Sequence, residues 1–281
     1  MVLKILDEKE CIFSISSFEI KKRLNIANVR WPIGVANQSP ISNFDSFKDL
    51  FTAKNEKIIL SHGTYCPIIN SNKINLPMNP AVSAVVMRRS FKQDEIVEEV
   101  LLTKRHSNMK IFPNAWVFPG GGIHNNENWK TAIIRELNEE IGLSKDQMAN
   151  FSPIGFWESI FPVDRTIGDP SVRHIVFYML VHLTGQEFSI NIQEGEISEY
   201  CWISIAKIRK LIAFGIKTLQ EEYVKVFKQK ASCIIEEKEV PLTEFICYPK
   251  KQTGLTEGTF FAMILGLYSQ IFEMQENFTR K

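Results

Sequence analysis

Between Gly121 and Leu143 the chain reads GGIHNNENWKTAIIRELNEEIGL, and Glu127, Glu136, Glu139 and Glu140 gather there around a single arginine, Arg135. Overall there are 33 basic and 32 acidic residues, so this gathering is local and does not reflect an acidic chain. Clustered carboxylates can hold a hard divalent cation, move a proton, or pair with a guanidinium. Glu139 lies four residues after Arg135, the helical spacing at which a bidentate pair forms. That pair leaves Glu136 and Glu140 unmatched, at a repulsive cost of roughly 0.2–0.5 kcal/mol in an exposed helix and more under cover. Mg²⁺ suits the remainder, because it prefers carboxylate oxygens together with water and substrate phosphates. The PGGG run at 119–122 would let backbone approach an ion or a phosphate closely.

The element that must carry these groups is a helix over Asn128–Ile141, stopped by Gly142. At 100° per residue, Ile133, Ile134, Leu137 and Ile141 make an apolar stripe for a sheet. Ala132, Glu136, Glu139 and Glu140 make the stripe beside it, so three carboxylates converge within about two turns. Taken alone, RELNEE is an ordinary solvated helix face. The longer constellation outweighs that reading.

It follows a glycine, five residues, a glutamate, seven residues, then Arg-Glu-aliphatic-any-Glu-Glu-any-Gly-aliphatic, filled here by Gly121, Glu127, Arg135, Glu136, Leu137, Glu139, Glu140, Gly142 and Leu143. This is the Nudix box without insertion, and the chain resembles the Nudix hydrolases. The resemblance implies an α/β class fold, a Nudix α/β/α sandwich with a mixed β-sheet. It also implies hydrolysis of a pyrophosphate bond in a nucleoside-diphosphate-linked substrate. By the same resemblance Glu136, Glu139 and Glu140 would ligate Mg²⁺ or Mn²⁺, with Glu127 and Arg135 orienting them. Glu139 or Glu140 would assist as base, and Gly121 and Gly122 would line the substrate. Family members carry a further glutamate six residues before a tryptophan; Glu196 and Trp202 have that spacing, which makes Glu196 an additional catalytic candidate.

Short strands are predicted around the box: AVSAVVM (81–87), EEVLLTKR (98–105), AWVFPGGGI (115–123), SPIGFWESIF (152–161), RHIVFYMLVHL (173–183) and EYCWISI (199–205). The polar RSFKQDEIV (89–97) would connect the first two. Helices are expected from Ile205 to Phe214 and over 257–275. The division that results is an N-terminal accessory region (1–78), a Nudix domain (79–215) and a C-terminal extension with a packed helix (216–281).

Two branches of the family compete for the substrate. GFWESIFP, RHIVFYMLV, PNAWVFPGG and GTFFAMILGL look similar to the cap-hydrolase-like branch. That likeness implies the 7-methylguanosine cap of RNA as substrate and methylated GDP as product. A methylated base wants an aromatic surface, and Trp116, Phe118, Trp129 and Trp157 are available. LLTKRHSNMKIFPNAWVFPGG keeps the spacing of the coenzyme A diphosphatase signature, but His106, Lys110 and Asn114 depart from it. Lys110 would still meet a phosphate, without arginine's fork. Glu158 is a further acidic candidate, whereas His174 and His182 read as structural. A non-catalytic Nudix binding module is the reading from another class, and retention of every box glutamate argues against it.

The net charge of +1 gives no argument for a nucleic-acid-coating or membrane-surface protein. Five scattered cysteines without a CxxC pair fit reduced thiols rather than a zinc or disulfide framework. No apolar run nears the ~20 residues of a bilayer span, and the N-terminus lacks a signal-peptide pattern. The expectation is an intracellular, cytoplasmic protein acting on a nucleotide-linked small molecule or a capped RNA end. No partner protein is evident.

Overall fold

The structure is a computed structural model. It describes residues 61–62, 78–92, 95–124, 127–161, 171–185, 188–213, 219, 221–230, 234–246 and 254–268. Most of the expected accessory region 1–78 therefore lies outside the described residues.

Among the described residues, nine strands form one mixed sheet: β1 (Ser61–His62), β2 (Met78–Lys92), β3 (Glu95–Arg105), β4 (Trp116–Val117), β5 (Met148–Phe161), β6 (Val172–Leu183), β7 (Ile197–Ser204), β8 (Tyr223–Lys230) and β9 (Ile234–Pro241). Their order is β1-β5-β6-β2-β3-β7-β8-β9, with β4 paired to β3. β1 with β5 and β2 with β6 run parallel, and the other pairs are antiparallel.

The β2–β3 ladder runs further than the polar connection suggests. It continues through Arg89↔Glu98 and Phe91↔Ile96 to Lys92↔Glu95. Arg88 reaches Glu99 at 2.8 Å and Arg89 reaches Glu98 at 3.2 Å. These cross-strand charge pairs let a polar segment stay in the sheet. By contrast, only Trp116–Val117 of the expected 115–123 strand pairs as one, because the prolines and glycines after it turn into a loop.

Alternation along β2 sorts the core into two layers. Val82, Ala84 and Val86 face one side with Phe177, Met179 and Trp202. Helix α1 (Trp129–Ile141) covers that side through Ala132, Ile133, Leu137 and Ile141. Val85 and Met87 face the other side, under α2 (Ile205–Ala213) and α3 (Glu257–Tyr268). The sheet therefore has helices on both faces, an α/β/α arrangement. Residues of β8, β9 and α3 share this second layer, so the segment after the box helix is built into the same core. Phe214 and the predicted continuation of α3 beyond Tyr268 lie outside the described residues.

Candidate active site

Helix α1 is fixed at both ends by its own sequence. The Asn128 side chain accepts the Thr131 N–H at 2.9 Å, satisfying one of the free donors of the first turn. Gly142 turns left-handed at φ 72°, and the Gly142 and Leu143 N–H groups reach back to the Asn138 and Leu137 carbonyls. That closure stops the helix directly after the glutamates.

The glycine loop is docked along β2. Ala84 N–H donates to the Pro119 carbonyl (2.8 Å), Val82 N–H to Gly121 (2.9 Å), and Ile123 N–H to Pro80 (3.0 Å). Gly120 has φ +148°, and a Cβ there would stand 2.2 Å from the Val82 carbonyl oxygen. At Gly121 a Cβ would stand 2.5 Å from Glu136 Oε1 and 2.7 Å from Oε2. The loop backbone and the box carboxylates are thus in near contact, which only glycine permits. Gly122 faces open space, and its carbonyl accepts Arg135 Nη2 at 2.9 Å.

Arg135 is the hub. Nε and Nη2 each bind Glu127 at 2.9 Å, and Nη1 binds Glu136 at 2.8 Å and Glu139 at 3.0 Å. Its pKa is raised, chiefly by the Glu127 contact, while Arg135 in turn lowers that of Glu127. The predicted pair with Glu139 is present, but Arg135 is shared among three carboxylates.

Glu140 has no such cation. It is 5% exposed, and its carboxylate accepts the Gly120 N–H at 2.9 Å. Burial pushes its pKa up to about 8; the Gly120 bond and Arg105 oppose the rise, while Glu136 and Glu196 add to it. Glu136, 9% exposed, is raised for the same first reason, with Arg135 pulling it down and Glu139 and Glu196 pushing it up. Glu139 is the open member, with its side chain 52% exposed. Glu196 sits at the entry to β7, where Gln193 Nε2 donates to its Oε1 at 3.2 Å. Its charge acts on both Glu136 and Glu140.

Three sequence expectations fare differently. Trp157, considered for stacking on a base, is 3% exposed and packs at 5.1 Å on Phe261. Its substrate-binding assignment gives way to a core role, because β5 lies under α3 and Gly258 lets that helix come within contact of the indole. Trp116 and Phe118 are buried as well, and Trp129 is partly buried against Phe177. Lys110 is exposed on the 106–115 loop and makes no hydrogen bond or ion pair with the box among the described residues. Glu158 pairs through its backbone with Ile175 and His62.

Sequence reasoning passed over Arg105, which it treated as the end of a strand. The guanidinium lies within electrostatic reach of Glu140, Glu196 and His174. Burial lowers the His174 pKa, and Arg105 lowers it further. The available signal was the LLTKR spacing ahead of the glycine loop.

The donor set suits a hard divalent cation. Glu136 and Glu140 are buried carboxylates whose ionisation is disfavoured as they stand, and Glu139 and Glu196 lie beside them. Among the described residues no three of them already converge as a cage. Glu136 is turned to Arg135 and Glu140 to the Gly120 amide.

The NUDIX domain model matches residues 77–223, and the chain belongs to the Nudix family. Nudix hydrolases generally use divalent metals such as Mg²⁺ or Mn²⁺. The chain is 34% identical over 164 residues to m7GpppN-mRNA hydrolase NUDT17 of Xenopus laevis, covering 56% of this chain and 55% of that protein. It is 30% identical over 154 residues to an RNA pyrophosphohydrolase of Campylobacter jejuni, covering 54% of this chain and 93% of that one. The chain thus spans about half the length of the NUDT17 relatives it matches. Among solved structures, a MutT/nudix family protein from Enterococcus faecalis aligns with a TM-score of 0.42 at 16% identity, covering 74% of this chain and 67% of that chain. No described helix is long and apolar enough to cross a membrane.

Proposed function

We propose that this chain is a divalent-metal-dependent pyrophosphohydrolase of nucleoside-diphosphate-linked substrates, with the 7-methylguanosine cap of RNA as substrate and methylated GDP as product. The observation that carries the reaction class is the charge imbalance of the site. Glu136 and Glu140 are buried against a glycine loop; Glu136 shares Arg135 with Glu127 and Glu139, and Glu140 has no ion pair among the described residues. The likeness to proteins named m7GpppN-mRNA hydrolase and RNA pyrophosphohydrolase supports an RNA 5′ end as the substrate.

In this reading Glu136, Glu139, Glu140 and Glu196 hold the ions. When bound, Mg²⁺ or Mn²⁺ neutralises the diphosphate and makes an attacking water more acidic. Arg135 fixes Glu136 and Glu139 in orientation through its shared fork, with Glu127 holding the guanidinium from behind. Glu139 or Glu140 takes the proton of the attacking water. Gly121 leaves room for the Glu136 carboxylate against the loop, and the 119–122 backbone keeps side chains away from the diphosphate.

The test is turnover of purified protein with Mg²⁺ or Mn²⁺ on methylated and unmethylated capped RNA, coenzyme A and ADP-ribose, with Glu140→Gln as the blank. Selective release of methylated GDP is the expected result. Preference for coenzyme A would replace the cap assignment with that of the signature upstream of the box. Metal and nucleotide binding without turnover would make the chain a binding module.

A further inference from the structure

The two arginines of the site are used in opposite ways. Arg135 spends its Nε, Nη1 and Nη2 groups on Glu127, Glu136, Glu139 and the Gly122 carbonyl. Arg105 spends only Nε, which donates to the Ile111 carbonyl at 2.8 Å. Its terminal nitrogens have no partner among the described residues, although the side chain is partly buried. Partly buried guanidinium donors left without protein partners are uncommon, because each costs free energy unless something else accepts them.

The backbone holds Arg105 firmly where it is. Its N–H donates to the Ala115 carbonyl at 2.9 Å, and it pairs with Ile197 across a register shift at the end of β3. The next residue, His106, donates its N–H to the Glu196 carbonyl at 2.7 Å. Arg105 is therefore tied to the segment that carries Glu196, and the charges of Glu140 and Glu196 both act on it. It faces those carboxylates without a hydrogen bond to either. A cation kept beside carboxylates and out of their reach is available to a third, anionic group.

Resting on the hydrolase reading above, we propose that Arg105 is a substrate-binding residue whose terminal N–H groups take phosphate oxygens of the diphosphate. Arg135 then serves the carboxylates and Arg105 serves the substrate. A guanidinium offers two parallel donors in one plane, the geometry that phosphate oxygens accept. It also balances the charge that the diphosphate brings to a carboxylate-rich pocket.

The experiment uses the full chain, its Arg105→Ala and Arg105→Lys variants, and two titrants read by calorimetry: Mg²⁺ alone, and imidodiphosphate at saturating Mg²⁺. Arg105→Ala is expected to weaken imidodiphosphate by roughly tenfold or more. Arg105→Lys should recover only part of that loss. Mg²⁺ alone should bind Arg105→Ala as tightly as the wild type or tighter, because a positive charge beside Glu140 and Glu196 is gone. Loss of imidodiphosphate affinity with Mg²⁺ affinity kept or raised excludes a merely structural role, since losing the Ile111 contact and loosening the 106–115 loop would weaken both. Unchanged imidodiphosphate affinity, parallel loss of both affinities, or no imidodiphosphate binding by the wild type would overturn the proposal. Arg105-dependent binding without turnover of any substrate would sink the hydrolase reading alone. Turnover with Arg105-independent binding would sink this inference alone.

Discussion

Two clusters of charge lie on the same sheet and answer to different needs. One is the box, where Arg135 is shared by Glu127, Glu136 and Glu139 and, among the described residues, Glu140 meets the Gly120 amide and no cation. The other joins β3, β7, β9 and the turn after β9. Lys104 reaches Glu199 at 3.2 Å and Glu244 at 2.9 Å, and Lys238 pairs with Glu199. In this second cluster two lysines meet two glutamates, and the sums cancel. Burial pulls the Lys104 pKa down, but Glu244 and Glu199 outweigh it and leave it raised. Burial pushes Glu199 up, but Lys238 and Lys104 outweigh that and leave it lowered. In the box the outcome is reversed, and burial wins at Glu136 and Glu140. A balanced network stabilises the fold it belongs to. An unbalanced one stores a demand for a cation, which is how buried carboxylates mark a working site.

The sharpest way to break this comparison is to neutralise one carboxylate in each cluster. Glu140→Gln should lower turnover by roughly two to four orders of magnitude, in the range of lost acid–base or metal-positioning groups. Its fold should be intact by circular dichroism, because the amide can still meet the Gly120 N–H. Glu199→Gln should leave turnover near wild type and lower the melting temperature instead. Equal loss of activity in both variants would erase the distinction.

Gly121→Ala tests the loop contact rather than the charge. The new Cβ must displace the Glu136 carboxylate, which is 2.5 Å away and buried. A misplacement near 1 Å costs about a hundredfold in rate, so turnover should fall by about that factor. Gly122→Ala, at a position facing open space, should be nearly silent. If Gly122→Ala proved the more damaging, the loop would approach the substrate in a different way.

The pH dependence follows from Glu140. Its folded pKa of about 8 lies above the ordinary glutamate value of 4.5, so between those values the folded state binds the extra proton. Stability without added metal should then fall as pH rises through that window, and level off above it. Glu140→Gln removes this contribution and should flatten the slope of melting temperature against pH. Mg²⁺ prefers the ionised carboxylate, so its stabilising effect should grow as pH rises from 5 to 8. A metal-free wild-type melting curve that rises steadily over the same window would contradict the raised pKa.

How much of this was readable beforehand differs by element. Helix α1 was legible to within a residue at both ends, because Asn128 and Gly142 are local signals that tertiary packing did not override. The proximity of the box glutamates and Glu196 follows from spacing, which the turns of a helix and the entry to a strand convert into position. The length of the β2–β3 ladder was not legible, since the Arg88–Glu99 and Arg89–Glu98 pairs that sustain it exist only once the strands meet. Trp157 and Trp116 could not be told from stacking surfaces, because which face of a strand a helix covers is a long-range fact. Arg105 was hidden for the converse reason. Its proposed role rests on terminal N–H groups that have no partner among the described residues, and sequence does not show which donors remain unused.

The mildest test of the comparison falls on Lys238, whose side chain is 46% exposed. Solvent already screens much of its pairing with Glu199, and exposed ion pairs contribute about 1 kcal/mol or less. Lys238→Ala should therefore lower stability by no more than about that amount. Glu199 would retain Lys104, and Lys104 would retain Glu244, so the chain of pairs shortens without leaving a buried charge alone. Denaturant unfolding resolves a change of this size, and turnover should stay at the wild-type level. A fall in turnover without a fall in stability would mean that the balanced cluster reaches the active site through β3, where Lys104 adjoins Arg105. The division between a structural and a working cluster would then have to be redrawn along that strand.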